Sequence, residues 1–205
     1  MIVYDHKILA SMRPAPLCPD AMGMVVNLFI PCYIDQLYPR VGTATVAVLR
    51  RAGCEVRFDQ RQTCCGQPMA NSGDEVNSAP AEHLFVENFK EYDFIIGPAG
   101  SCVKQVRCHF DTIEQTADVK HVRQRTYELV EFLHDIVKAD CFPWAEFQHS
   151  VAIHNSCSSI RGLGIAKPSE IMGVPFDKTA NLLSTSALFA FQGAHPTDNN
   201  LAPPK

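Results

Sequence analysis

The sequence predicts an α/β fold, and three observations carry that expectation. Short β-rich runs alternate with longer stretches whose apolar residues recur at helical spacing. The runs that read as strands end in loops that carry cysteine. Hydrophobic residues make up 46% of the 205 residues and charged residues 20%, a composition that closes around a packed core rather than staying disordered.

The first strand is "VVNLFI" after Met24, closed by Pro31 and Cys32. "QLYPRVGTATVAVLRRAG" then reads as one helix ending at Gly53, a residue suited to a helix C-terminus. A second strand, "CEVRF" at 54–58, leads into "TCCGQP" at 63–68. A polar stretch with Asn71, Ser72 and Gly73 precedes a helix over "AEHLFVENFKEY", and "YDFIIG" at 92–97 forms a third strand running into "PAGSC". Helices are expected over 102–116 and 123–138, the second carrying Tyr127, Val130, Phe132, Leu133 and Ile136. "ADCFPWAEF" is a connection, and "SVAIHNSC" repeats the pattern of strand then cysteine.

This is a Rossmann-like alternation, and in open parallel sheets ligands bind outside the carboxyl ends of the strands. The thiols of Cys32, Cys64, Cys65, Cys102 and Cys157 all fall in such loops, so the order of elements directs them to one sheet edge. Helix N-termini in the same loops favour a negatively charged group there.

Charge and hydropathy exclude other classes. A net charge of -4 leaves no basic footprint for nucleic acid. The longest apolar stretch, "MVVNLFIP", falls far short of the roughly 20 residues that span a bilayer, so no membrane span is expected. The N-terminus lacks the layout of a signal peptide, which makes the chain cytoplasmic on this reading. In that compartment the nine cysteines are metal ligands or redox groups before they are a disulfide framework, and their odd number argues against complete pairing.

Four thiolates gathered at strand ends make a soft site that selects zinc or an iron–sulfur cluster over hard cations. Zinc sites usually present paired C-x₂₋₄-C knuckles, and an adjacent doublet with distant partners fits that pattern poorly. No G-x-G-x-x-G and no phosphate loop occurs, so direct nucleotide binding is not indicated.

"PCYIDQLYP", "TCCGQP", "GPAGSC" and "HNSCSSIRGLGI", in that order, resemble the cysteine-rich, or CCG, domain family over about Met24 to Leu183. That family includes iron–sulfur subunits of lactate and glycolate oxidation systems, of anaerobic glycerol-3-phosphate dehydrogenase, and the B subunit of heterodisulfide reductase. The resemblance implies Rossmann-like three-layer pseudo-repeats with short parallel sheets. It also implies an oxidoreductase subunit that transfers electrons within a complex oxidising lactate or another 2-hydroxy acid, with other lactate-utilization iron–sulfur subunits as partners. The cofactor implied is an iron–sulfur cluster of the 4Fe–4S type, held by Cys32, Cys64, Cys65 and Cys102, with Cys157 as a further cofactor-binding thiol. Where the heterodisulfide reductase branch continues C-x-x-C, this chain has Gln105.

On the same basis residues 24–140 form a first CCG-type half and 141–183 a partial second half, flanked by an atypical extension at 1–23 and an atypical tail at 184–205. The second Cys-Cys-Gly that the repeat calls for does not follow Cys157, so the expectation is a truncated second half. Two alternatives stand beside the electron-transfer reading: thiol–disulfide chemistry at Cys64 and Cys65, and a fragment without a cluster. Cys18, Cys54, Cys108 and Cys141 read as structural, since free cysteine often serves as a small core residue. His154, Asn155 and Arg161 are candidates to support a cluster or a carboxylate, each against an equally simple structural role. Pro31, Gly66 and Gly100 read as loop formers that bring backbone amides to the sulfurs, a contact that tunes cluster potentials.

Overall fold

A computed structural model of the chain describes residues 23–139 and 156–165. The expectations that fall on Cys18, Cys141, His154 and Asn155, the strand ahead of Cys157 and the tail lie outside these residues.

The first strand, β1 (Val25–Leu28), is an apolar run interrupted by Asn27 and buried from Val26 onward, as a strand covered on both faces must be. It is followed by α1 (Cys32–Leu37) and α2 (Pro39–Arg51), then β2 (Glu55–Arg57). The single helix expected over this stretch is thus two. The break falls at Tyr38 because a residue before proline is pushed out of the helical region, and Pro39 is suited to opening the next helix. Val41, Val46, Val48 and Leu49 bury one face of α2, and Arg50 and Arg51 close it with charges that favour its C-terminal dipole.

After β2 come α3 (Gln67–Asn71) and α4 (Glu75–Phe89), then β3 (Ile95–Gly97) and α5 (Gly100–His109). Helix α4 begins earlier than expected and runs through Pro80. Its first turn is held by side chains: Asn77 Nδ2 donates to the Asp74 carboxylate at 2.7 Å and Ser78 Oγ to the Glu75 carbonyl at 2.7 Å. Helix α6 (Ala117–Arg125) starts at Thr116, whose hydroxyl accepts from Val119 N at 3.3 Å.

The helix expected over 123–138 contains instead a fourth strand, β4 (Thr126–Glu128), before a short turn, α7 (Leu129–Glu131), and a π-helical turn over Phe132–Ile136. Thr126 and Tyr127 are good strand residues, and the open edge of β3 supplies the pairing that local helical signals could not outweigh. The four strands are all parallel, in the order β2-β1-β3-β4. The α/β fold predicted from the sequence is the fold observed.

Aromatic rings bind the helices to the sheet. Phe29, just beyond β1, meets Phe85 of α4 edge-to-face at 4.8 Å, and Phe85 meets Phe110 at 5.6 Å. Gly97 is required beside them, because a Cβ there would lie 2.9 Å from the Phe29 ring.

At the end of β4, Glu128 accepts from Val130 N at 2.7 Å while the Glu131 carboxylate accepts from Glu128 N at 3.2 Å, a reciprocal cap. Arg107 Nη1 holds Glu131 at 2.7 and 2.8 Å. Burial pushes the Glu128 carboxyl up to about 7 from 4.5, against the pull of the amides it accepts from. A group raised in this way stabilises the fold most below its unfolded value and loses that contribution as pH rises through the folded one. Urea melts from pH 4.5 to 8 are expected to show stability declining across the window from 4.5 to about 7, with the slope flattened in Glu128→Gln. Equal slopes in the two proteins would count against this assignment.

Candidate functional site

The sheet order places β1 between β2 and β3, and the loops leaving these three strands carry Cys32, Cys64, Cys65 and Cys102, four of the five predicted cysteines. Pro31, in extended conformation, turns the chain after β1 so that Cys32 opens α1. The loop after β2 delivers Cys64 and Cys65, and Gly66 (φ +83°) takes the left-handed conformation from which α3 departs. After β3, Cys102 sits in the first turn of α5.

These thiols meet. Cys32 Sγ and Cys64 Sγ lie 3.4 Å apart. Cys64 hydrogen-bonds to Cys65, and Cys65 to Cys102, whose Sγ donates to Gln67 Oε1 at 3.3 Å. Four cysteines therefore form one line of thiol contacts, buried at the Cys65 and Cys102 end and half-buried at the Cys32 and Cys64 end. Among the described residues no three His, Cys, Asp or Glu side chains surround a single metal-ion position. The donor set is nevertheless wholly sulfur, and four thiolates are what an iron–sulfur cluster takes from a protein.

Backbone amides are directed at these sulfurs. Cys32 receives the N–H of Tyr33; Cys64 receives Gly66 N–H, and Cys65 receives Gln67 N–H. Such bonds favour the thiolate, yet larger effects oppose them. Burial raises the Cys32 thiol, the bond to Cys65 raises Cys64, and the bond to Cys102 raises Cys65. In the metal-free chain burial holds the proton on Cys32, and the neighbouring thiols hold it on Cys64 and Cys65.

Two residues that the sequence reading passed over belong to this site. Tyr33 adjoins Cys32, and its phenol is pushed up to about 12, first by burial and then by Cys102 and Cys32. Gln67 contacts the Cys102 sulfur directly. They lie inside the motifs "PCYID" and "TCCGQP", one and two residues after a cysteine, and that proximity was the available signal.

Cys157 stands exposed at the start of a π-helical turn over Ser158–Leu163, outside the line of thiol contacts. That turn packs on α5, where Cys108 Sγ approaches the Gly162 carbonyl at 3.9 Å and Gly162 abuts the Lys104 side chain. Arg161 is exposed on the same turn. Cys54 is buried in the core, as a structural cysteine should be. No helix among the described residues is long and apolar enough to cross a membrane.

The model of the cysteine-rich domain (CCG) matches residues 26–107, the segment that contains all four thiols. Lactate utilization protein A of Geobacillus kaustophilus (strain HTA426) is 38% identical over 147 residues, covering 69% of this chain and 61% of that protein. Its counterpart in Bacillus subtilis (strain 168) is 34% identical over 162 residues, covering 75% of this chain and 68% of its own length. The one in Exiguobacterium sp. (strain ATCC BAA-1283 / AT1b) is 39% identical over 157 residues, or 72% and 63%. The chain thus matches less than two thirds of the Geobacillus and Exiguobacterium proteins. No solved structure gives a significant match.

The tightest steric demand in the site is at Gly66, where a Cβ would approach Ser78 Cβ and the Ser78 carbonyl at 3.3 Å. Gly66→Ala is expected to cost at least about 1–2 kcal/mol from the left-handed backbone alone. Denaturant unfolding measures that cost; a variant as stable as the parent would show that the loop before α3 is free to rearrange.

Proposed function

The chain belongs to the lactate utilization protein A family of cysteine-rich domain proteins, and from that premise we propose that it is an iron–sulfur electron-transfer subunit of a complex that oxidises lactate or a related 2-hydroxy acid. Its partners on this reading are other lactate-utilization iron–sulfur subunits in the cytoplasm. The observation that carries the proposal is the line of four thiols, Cys32, Cys64, Cys65 and Cys102, at the carboxyl edge of three adjacent parallel strands.

Those four cysteines would hold a cluster of the 4Fe–4S type, which when bound supplies reversible one-electron capacity. The chain's own contribution is to place and protect the ligands. Cys65 and Cys102 anchor the site in the core, which keeps water from that side. The amides of Tyr33, Gly66 and Gln67 offset the negative charge of the sulfurs, and hydrogen bonds of this kind raise the potential of a cluster. Tyr33 lends its ring to the outer rim, where Cys32 and Cys64 remain partly open. Ligand thiols must give up their protons, so loading releases protons and strengthens as pH rises.

Thiol–disulfide chemistry is the weaker reading. It calls for a thiolate poised near neutral pH, as in reactive cysteines that sit beside positive charge. Here the shifts of Cys32, Cys64 and Cys65 all run upward.

Two measurements test these statements. Anaerobic reconstitution with iron and sulfide, followed by iron and acid-labile sulfide analysis and electron paramagnetic resonance, is expected to give a stoichiometric cluster. Cys64→Ser with Cys65→Ser loses it and Cys157→Ser keeps it; absence of a cluster from the parent chain would overturn the reading. In the metal-free protein, alkylation of Cys32, Cys64 and Cys65 is expected to accelerate only above the ordinary thiol value of 9.0. Fast labelling at pH 7 would restore the thiol–disulfide alternative.

A further inference from the structure

The approach of Cys32 to Cys64 needs a cause, because the two residues lie on loops from different strands. Strand β2 ends at Arg57, opposite Asn27, so β1 continues past its neighbour. On the other side, β3 still serves it: Phe29 N donates to the Ile96 carbonyl at 2.9 Å. Backbone groups alternate in direction along a strand, so the Leu28 carbonyl and the Ile30 N–H face the side that β2 has left. In a parallel ladder those two groups would bond to one residue opposite Phe29.

The Gln62 side chain takes that residue's place. Its Oε1 accepts from Ile30 N at 2.7 Å, and its Nε2 donates to the Leu28 carbonyl at 2.9 Å. The same Nε2 donates to the Asp59 carbonyl at 2.9 Å, which ties the loop back on itself. With an N–H and a carbonyl on one carbon, a carboxamide can imitate the pairing groups of a strand residue. Only the orientation with oxygen toward Ile30 satisfies all three contacts.

Ile30 is two residues before Cys32, and Gln62 is two residues before Cys64. The bond between them therefore joins the two cysteine loops at equal distances from the sulfurs. We propose that Gln62 is a positioning residue that continues the β1–β2 ladder through its side chain and thereby sets the separation of Cys32 and Cys64. A second tie, Asn88 Nδ2 to the Arg61 carbonyl at 3.1 Å, fastens the same loop to α4. The use of this clasp in holding a cluster rests on the function proposed above, while its effect on the two thiols does not.

The test therefore begins with metal-free protein. Diamide takes two electrons and two protons from a thiol pair, and the rate of Cys32–Cys64 disulfide formation, read by peptide mass spectrometry, reports how often the two sulfurs meet. Gln62→Leu, similar in size but unable to make any of the three bonds, is expected to slow that rate about tenfold, on the scale by which small misplacements slow intramolecular reactions. Protection of the buried Cys54 from alkylation shows whether the variant keeps the fold. Gln62→Glu keeps the acceptor for Ile30 but loses both donations, and an intermediate rate is expected. If Gln62→Leu exposes Cys54, the Glu variant decides by the same criterion. A parental rate in a variant that keeps Cys54 protected overturns the proposal. Iron content after reconstitution is measured in parallel. A parent chain that takes no cluster but shows the graded disulfide rates would defeat the functional reading and leave the clasp standing.

Discussion

The site depends on one topological constraint, that β1 lies between β2 and β3 with all three strands parallel. The chain leaves β1 to one side for β2 and returns to the other for β3, so the connections diverge at the carboxyl ends of β1 and β3. A crevice opens where strand order reverses in this way. Cys32 follows one strand at this divide and Cys102 the other, while the loop from β2 brings Cys64 and Cys65 to bridge them. Altering the order of the strands would disperse the thiols even if every helix and strand were kept.

The thiols are in tension with their surroundings. Amides favour the charged form, but burial and mutual hydrogen bonding hold the proton more strongly. A positively charged metal centre would reverse that balance, since a coordinating thiol is deprotonated outright. The amide donors would then have charged sulfurs to stabilise. Cys32, Cys64 and Cys65 are therefore held neutral without a metal and are already provided with donors for their ionised form.

Much of this was legible in the sequence. The alternation of strands and helices gave the fold class, and the cysteines in the loops after the first three strands, though not Cys157, are the four that meet. Other features were hidden for identifiable reasons. "TYE" at 126–128 sits between stretches of helical character, and its strand state depends on the edge of β3, which local pattern does not reveal. The break at Tyr38 was signalled by Pro39, but the apolar period continues across it. The early start of α4 was masked by Pro80 and by a polar first turn that fastens itself through Asn77 and Ser78. Tyr33, Gln62 and Gln67 are common residue types whose roles depend on what faces them across the sheet.

The wide separation of the four cysteines along the chain has a consequence for biogenesis. A knuckle of closely spaced thiols can grip a metal while the rest of a polypeptide is still unstructured. Here Cys32, Cys64 and Cys102 become neighbours only after β1, β2 and β3 have paired. Closing loops of that length must precede any reward from the contacts they create. Whatever soft centre these thiols accept therefore finds its ligands assembled only once the three strands have paired. The half-buried end of the thiol line, at Cys32 and Cys64, is the side from which the assembled ligands can be reached.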